Sequence, residues 1–125
     1  MSPDRPPTEG SKQEVLIAGF GGQGILFLGQ VLAWAALLKG KEVTWLPSYG
    51  ATMRGGTANC MVIISDRRIV SPFVRFPRVA FILSRPSLLR FQSVVAPEGW
   101  LIVDRSVVGT RTEREDIQYL EVPAG

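Results

Sequence analysis

Gly19-Phe20-Gly21-Gly22-Gln23-Gly24 sets three glycines in a G-x-G-x-x-G spacing, directly after the apolar run Glu14 to Phe20 and directly before a longer one, Ile25 to Leu38. A strand, a tight turn and a helix in that order bring backbone N–H groups and the positive end of the helix dipole to one point. That arrangement receives phosphate. A second segment able to do chemistry is Met53-Arg54-Gly55-Gly56, where a guanidinium stands beside glycines. The guanidinium can grip a phosphate or carboxylate through two parallel hydrogen bonds, and the glycines let the backbone come close. The candidate binding positions are therefore Gly19, Gly21, Gly22, Gln23, Gly24, Arg54, Gly55 and Gly56. No residue is assigned a catalytic or metal-ligating role.

Two competing readings apply to the glycine turn. A dinucleotide site asks for an acid about 20 residues on, at the end of the second strand, to bind the ribose hydroxyls. That stretch holds Leu46, Pro47 and Ser48, and no acid lies between Glu42 and Asp66. The other reading is that the glycines serve only close packing of strand on helix. Composition narrows the chemistry further. The chain has no histidine, which removes Ser-His-Asp and Cys-His catalysis and most zinc sites. Cys60 is the single cysteine, so an internal disulfide and a cysteine-ligated iron–sulfur cluster within this chain are excluded. Lying in a predicted strand, Cys60 reads as a small buried hydrophobe. Arg54, Arg67, Arg68, Arg75, Arg78, Arg85 and Arg90 share their stretch with one acid, Asp66, which makes either a local cationic field or a solvated surface. A lone RGG is not an RNA-binding tract, and no nucleic-acid partner is expected. Asp104, at a strand end, suits a site, an interface or a capped turn. Trp34 and Trp45 read as packing residues.

The elements that must position these groups follow from pattern. With 125 residues, 46% hydrophobic and 20% charged, the chain has room for one domain. Residues 1–13, with three prolines, read as a mobile disordered tail, and residues 14–125 as the domain. The apolar run Ile25 to Leu38 is too short to span a bilayer, and the tail lacks a signal peptide's apolar centre. A cytoplasmic protein without a membrane partner is expected. Glu14 to Phe20 predicts a buried strand, Gly24 to Lys39 a helix stopped by Gly40, and Val43 to Leu46 a second strand. Pro47 to Gly56 predicts a loop, Asn59 to Ser65 a strand, and Ile69-Val70 its antiparallel return after Asp66-Arg67-Arg68. Val79 to Leu83 and Trp100 to Asp104 predict further strands, Pro86 to Gln92 a short helix, and Ile117 to Leu120 a last strand. The fold class is α/β: a single layered domain with a mixed, mainly parallel sheet and a Rossmann-like first β-turn-α unit.

Four separated segments, GFGGQGI at 19–25, YGATMRGGTANC at 49–60, IISDRRIVSP at 63–72 and EGWLIVD at 98–104, occur in an ordered combination. Together they resemble the gamma subunit, or gamma domain, of 2-oxoacid:ferredoxin (acceptor) oxidoreductases. The resemblance implies a subunit, inactive alone, of an enzyme that oxidatively decarboxylates a 2-oxoacid with coenzyme A to an acyl-CoA. It implies thiamine diphosphate and iron–sulfur clusters in partner subunits, with none held by this chain alone. Coenzyme A is implied as co-substrate, near the GFGGQG turn and the Arg54 loop. Implied partners are alpha and beta subunits, a ferredoxin-like delta subunit, and ferredoxin or a similar acceptor for the complex, with a homodimer as a further option. The chain departs from the family where Ala51-Thr52-Met53 replaces the acid that often precedes RGG. It also stops at Gly125 where members continue, so a C-terminal truncation that leaves an apolar face open is part of the expectation. The alternatives are a stand-alone nucleotide-binding module and a purely structural interaction subunit.

Overall fold

The computed structural model describes residues 12–20, 24–48, 57–69, 71, 74–104 and 114–122. In chain order these form β1 (Lys12–Phe20), α1 (Ile25–Leu38), β2 (Glu42–Ser48), β3 (Thr57–Ser65), β4 (Val79–Ile82), α2 (Arg85–Phe91), a 3₁₀ turn (Gln92–Val94), β5 (Trp100–Asp104) and β6 (Gln118–Val122). The strands make one six-stranded sheet in the order β2-β3-β1-β4-β5-β6. β3 runs antiparallel to both neighbours, while β1, β4, β5 and β6 pair in parallel, so the sheet is mixed and mainly parallel as expected.

β1 is central because it is apolar on both faces, which suits a strand covered from two sides. Leu16 and Ala18 join Ala80, Ile82, Leu88, Val95, Leu101 and Val103 on one face. Val15 and Ile17 join Ile25, Cys60 and Val62 on the other. The first face is covered by α2 and the 3₁₀ turn, the second by α1. α2 starts where Ser84 caps it, accepting from the Ser87 N–H at 3.2 Å, with proline in its first turn. α1 ends where Gly40, at φ 79°, lets the N–H groups of Gly40 and Lys41 return to the carbonyls of Leu37 and Ala36.

Four features differ from the sequence-based expectation. Lys12 and Gln13 belong to β1 rather than to a tail, because Lys12 pairs with Ser65 at the end of a long antiparallel ladder. β2 continues through Pro47 and Ser48, a place a proline tolerates because β2 is the sheet's edge. No return strand forms at Ile69, and Val70 lies outside the described residues. β1 and β2 already occupy both sides of β3, which leaves no edge for a hairpin partner. Trp34 does not pack within the chain; it stands on the outward side of α1, well exposed.

α1 turns its smallest residues inward. Ile25, Gly29, Ala33 and Ala36 are its buried positions, while Phe27, Leu28, Val31, Trp34, Leu37 and Leu38 are exposed. The approach is closest at Gly29, where an added Cβ would lie 2.5 Å from Cys60 Sγ and 2.8 Å from Trp45 Nε1. Gly29→Ala would gain about 1 kcal/mol of helix propensity, yet forcing a methyl into this packed contact costs about 1–3 kcal/mol. Net destabilisation is expected as a lowered midpoint in urea, and adding Cys60→Ala should recover part of it. A single variant more stable than the parent would refute this account of the packing.

Candidate functional site

The glycine turn leaves the carboxyl end of β1 and enters α1. β1 then leads through α1 toward β2 on one side, whereas β4 lies on the other side with its own following helix on the opposite face. The gap between the ends of β1 and β4 is thus the point where strand order reverses. Open α/β sheets bind ligands at that crevice, outside the carboxyl ends of the strands.

Strand register brings the second motif to the same end. Phe20 pairs with Thr57 and Ser48 with Asn59, so the connection between β2 and β3, residues 49–56, springs from the same rim as the turn. Of the eight candidate positions, Gly19 and Gly24 lie among the described residues. Gly19 sits in β1 opposite Ala58, and Gly24 adopts φ 78° as the N-cap of α1. A side chain would be strained there. Gly21, Gly22, Gln23, Arg54, Gly55 and Gly56 lie outside the described residues. α1 begins with no acidic residue in its first turn and no side-chain cap, and its first helical bond runs from Leu28 N–H to Gly24 O at 2.8 Å. Its positive end is therefore free of the carboxylate that would neutralise it.

Three buried polar residues sit on this rim: Asn59 opening β3, Ser84 following β4, and Asp104 ending β5. Ser84 also donates its hydroxyl to Ser87 Oγ at 2.8 Å. Sequence reasoning placed Asp104 at a strand end but missed Asn59 and the serine pair. The Ser-Arg-Pro-Ser run, a capping residue followed by proline, was the available signal for the latter.

The arginine-rich stretch does not form one field. Arg67 and Arg68 follow β3, and Arg75 and Arg78 precede β4, at the end of the sheet opposite the turn. Arg85 starts α2 on the rim itself, while Arg90 and Arg75 lie over the rings of Phe91 and Phe76, at 4.8 and 5.6 Å. Asp66 pairs with Lys41 instead of an arginine. The six described arginines of this stretch are all exposed.

Cys60 is fully buried beneath α1 and donates a weak hydrogen bond to Ile25 O at 3.6 Å. Burial pushes its thiol up to about 11; the indole N–H of Trp45 opposes that shift without overcoming it. Trp45 Nε1 is itself buried without an ordinary hydrogen-bond acceptor, and its polar neighbour is this sulfur, a weak one. Among the described residues no group of three or more His, Cys, Asp or Glu could hold a metal ion.

The pattern of the pyruvate ferredoxin/flavodoxin oxidoreductase family matches residues 14–125. The chain is 41% identical over 110 residues to the ketoisovalerate oxidoreductase subunit VorA of Methanothermobacter marburgensis, covering 88% of this chain and 23% of that one. It is 37% identical over 119 residues to the 2-oxoglutarate synthase subunit KorC of the same organism, covering 90% of this chain and 64% of that one. The chain thus spans 23% of the one relative and 64% of the other, less than two thirds of either. Among solved structures it resembles the gamma subunit of a keto/oxoacid ferredoxin oxidoreductase from Geobacter sulfurreducens, with a TM-score of 0.76 at 27% identity over 88% of this chain and 59% of that one.

The Cys60 environment has measurable consequences. With its thiol near 11 against an ordinary 9.0, Cys60 should resist a thiol reagent such as DTNB at pH 8 in the folded protein and react fully once unfolded. A folded-state value raised above the unfolded one contributes stability below the unfolded value and loses it as pH rises. Urea midpoints should therefore fall between about pH 9 and pH 11, and Cys60→Ala should remove that part of the pH dependence. Rapid labelling of the native chain would overturn the assignment of Cys60 to the packed core.

Proposed function

Because the chain belongs to the pyruvate ferredoxin/flavodoxin oxidoreductase family, we propose that it serves as the gamma-type module of a cytoplasmic 2-oxoacid:acceptor oxidoreductase and contributes the surface that positions coenzyme A. The observation that carries this reading is the location of the GFGGQG turn. Its flanks, the end of β1 at Phe20 and the start of α1 at Gly24, lie at the reversal point of the sheet, and the ends of β2 and β3 that flank the connection bearing Arg54 share that rim.

The reaction joins a 2-oxoacid and coenzyme A, releases carbon dioxide, and leaves an acyl-CoA while two electrons pass to the acceptor. When bound in the assembly, thiamine diphosphate supplies the stabilised carbanion of decarboxylation, and iron–sulfur clusters carry the electrons. This chain's residues do not suit either group. It has one cysteine, held buried beneath α1, and a cluster needs several thiolates. Alpha, beta and ferredoxin-like subunits are accordingly the proposed holders of both.

What this chain can supply is binding. Coenzyme A carries phosphates, and an uncapped helix start with no acid in its first turn offers them backbone N–H groups and a favourable dipole. Arg54 adds a fixed cation able to make a charge-assisted contact. Holding the nucleotide end in this way orients the thiol toward the acyl group formed on a neighbouring subunit, which converts a bimolecular encounter into a positioned one.

Two outcomes test the proposal. The chain alone should oxidise no 2-oxoacid, and activity should appear on assembly with alpha, beta and ferredoxin-like subunits. In that assembly, Arg54→Ala should raise KM for coenzyme A by about 10- to 100-fold, the equivalent of one lost charge-assisted hydrogen bond, and leave KM for the 2-oxoacid unchanged. An unchanged KM for coenzyme A would remove Arg54 from the site.

A further inference from the structure

At the far end of α2, on the face of the sheet away from α1, lies a cavity of about 160 Å³ whose seven lining residues are all among the described ones. Leu16 of β1 and Met61 of β3, register partners across the two strands, give it a floor. Phe91, the last residue of α2, and Val94 of the 3₁₀ turn line it from the helical layer, and Val74, Arg75 and Pro77 from the approach to β4. That approach is held by backbone hydrogen bonds. The Ala96 N–H donates to Pro77 O at 2.8 Å and the Arg78 N–H to Glu14 O at 2.9 Å, which ties it both to the segment after the 3₁₀ turn and to β1. The helical layer here is short, seven residues of α2 and three of the turn, and Met61 beside it stays half-buried.

Six of the seven lining residues are apolar. The seventh, Arg75, is exposed, so the cavity meets solvent beside a guanidinium. A second guanidinium stands close, since Arg90 lies over the ring of Phe91 at 4.8 Å, and Arg75 lies over the ring of Phe76 at 5.6 Å. Stacking of this kind holds the planar group in place and leaves its in-plane N–H groups for an acceptor. No acid takes them among the described residues, where the ion pairs are Lys12 with Glu14, Lys41 with Asp66 and Arg114 with Asp116. Glu14, two residues before Leu16 and hence on the same face of β1, is engaged by Lys12 at 3.5 Å. An apolar chamber with an unpaired cation at its mouth is the arrangement that selects an amphipathic anion.

We propose that this cavity binds a small monocarboxylate whose apolar body is the size of a single aromatic ring, with the body against Leu16, Met61 and Phe91 and the carboxylate on Arg75. Volume sets the body: an apolar cavity of about 150 Å³ stays dry and takes up benzene, so one ring fits and a nucleotide does not. Geometry sets the head group, because the guanidinium fork matches a planar carboxylate through two parallel hydrogen bonds. The site is separate from the rim that carries the glycine turn, since Val74, Arg75 and Pro77 precede β4 at the opposite end of the sheet. It does not rest on the family reading.

The probe is phenylacetate, titrated into the full 125-residue chain by calorimetry. Saturable one-to-one binding is expected, with a Kd on the order of 0.1–1 mM for so small a ligand. Phenylacetamide, the same body without the charge, should bind about tenfold more weakly. Arg75→Ala should bring phenylacetate down to the affinity of the amide and leave the amide's own affinity unchanged; the side chain is exposed, so its loss spares the core. Val94→Phe fills the cavity from the turn and should abolish binding of both, with circular dichroism checking that the fold is kept. Arg67→Ala, outside the lining, should change nothing. The proposal is overturned by the absence of saturable binding, by equal affinity for acid and amide, or by undiminished binding to a folded Val94→Phe variant. Because the readout is binding to the chain alone and not turnover, failure here leaves the Arg54 test of the functional reading intact.

Discussion

The contact of Gly29 with Cys60 and Trp45 governs how α1 sits on the sheet, and much else depends on that seat. A methyl at position 29 would intrude to 2.5 Å from the sulfur, so only a residue without a side chain lets the helix lie this low. Ala33 and Ala36 extend the same shallow stripe toward the helix end. The height of α1 in turn fixes where its first turn, from Gly24 onward, lies relative to the end of β1. Cys60 serves this geometry as a compact apolar sphere, buried where its raised pKa keeps it an uncharged thiol.

The antiparallel insertion of β3 is the second constraint. In a simple doubly wound sheet the strand beside β1 would run parallel and point its carboxyl end at the ligand crevice. Here β3 runs the other way, so the rim beside the turn is built from the start of β3 and the end of β2. The connection between them, where a dinucleotide fold would place its ribose-binding acid, instead carries an arginine and glycines. Leu46, Pro47 and Ser48 finish an edge strand whose neighbour opens the next one. The missing acid and the altered topology are two expressions of one arrangement.

Much of this could be read from the chain because its punctuation agrees with its periodicity. Glycines flank α1 at Gly24 and Gly40, both in the left-handed conformation, and Ser84 with Pro86 marks the start of α2. The strand core of β1, β4 and β5 was legible from unbroken apolar runs, since strands buried on both faces need no alternation. The errors arose where long-range pairing overrides local signals. Asp66-Arg67-Arg68 looks like a hairpin turn, but β3 finds its partners earlier in the chain. Pro47 looks like the start of a loop, but an edge strand has an unused side on which a missing N–H does no harm. In the site, the two motifs were identified from their residue types, but only strand register could bring them to a common rim. The arginines, adjacent in sequence, were separated by the same register to opposite ends of the sheet.

α1 shows why periodicity alone could not assign its faces. Its sequence is apolar all round, with Gln30 the one polar side chain from Ile25 to Leu38, so no polar stripe marks the outside. Size decides instead. The sheet selects Gly29, Ala33 and Ala36 because they permit close approach, and this forces Phe27, Trp34 and Leu38 to the far side and Leu28 to the flank. A surface helix with no partner would ordinarily carry charges on that side, as solubility favours them and packing does not oppose them. The arrangement is stable in water only at the expense of several large apolar side chains left hydrated, each forgoing on the order of 1.5–3 kcal/mol of burial. The low seat of α1 on the sheet and the large apolar side chains left on its outward face and flank are thus consequences of a single choice of small residues along one stripe.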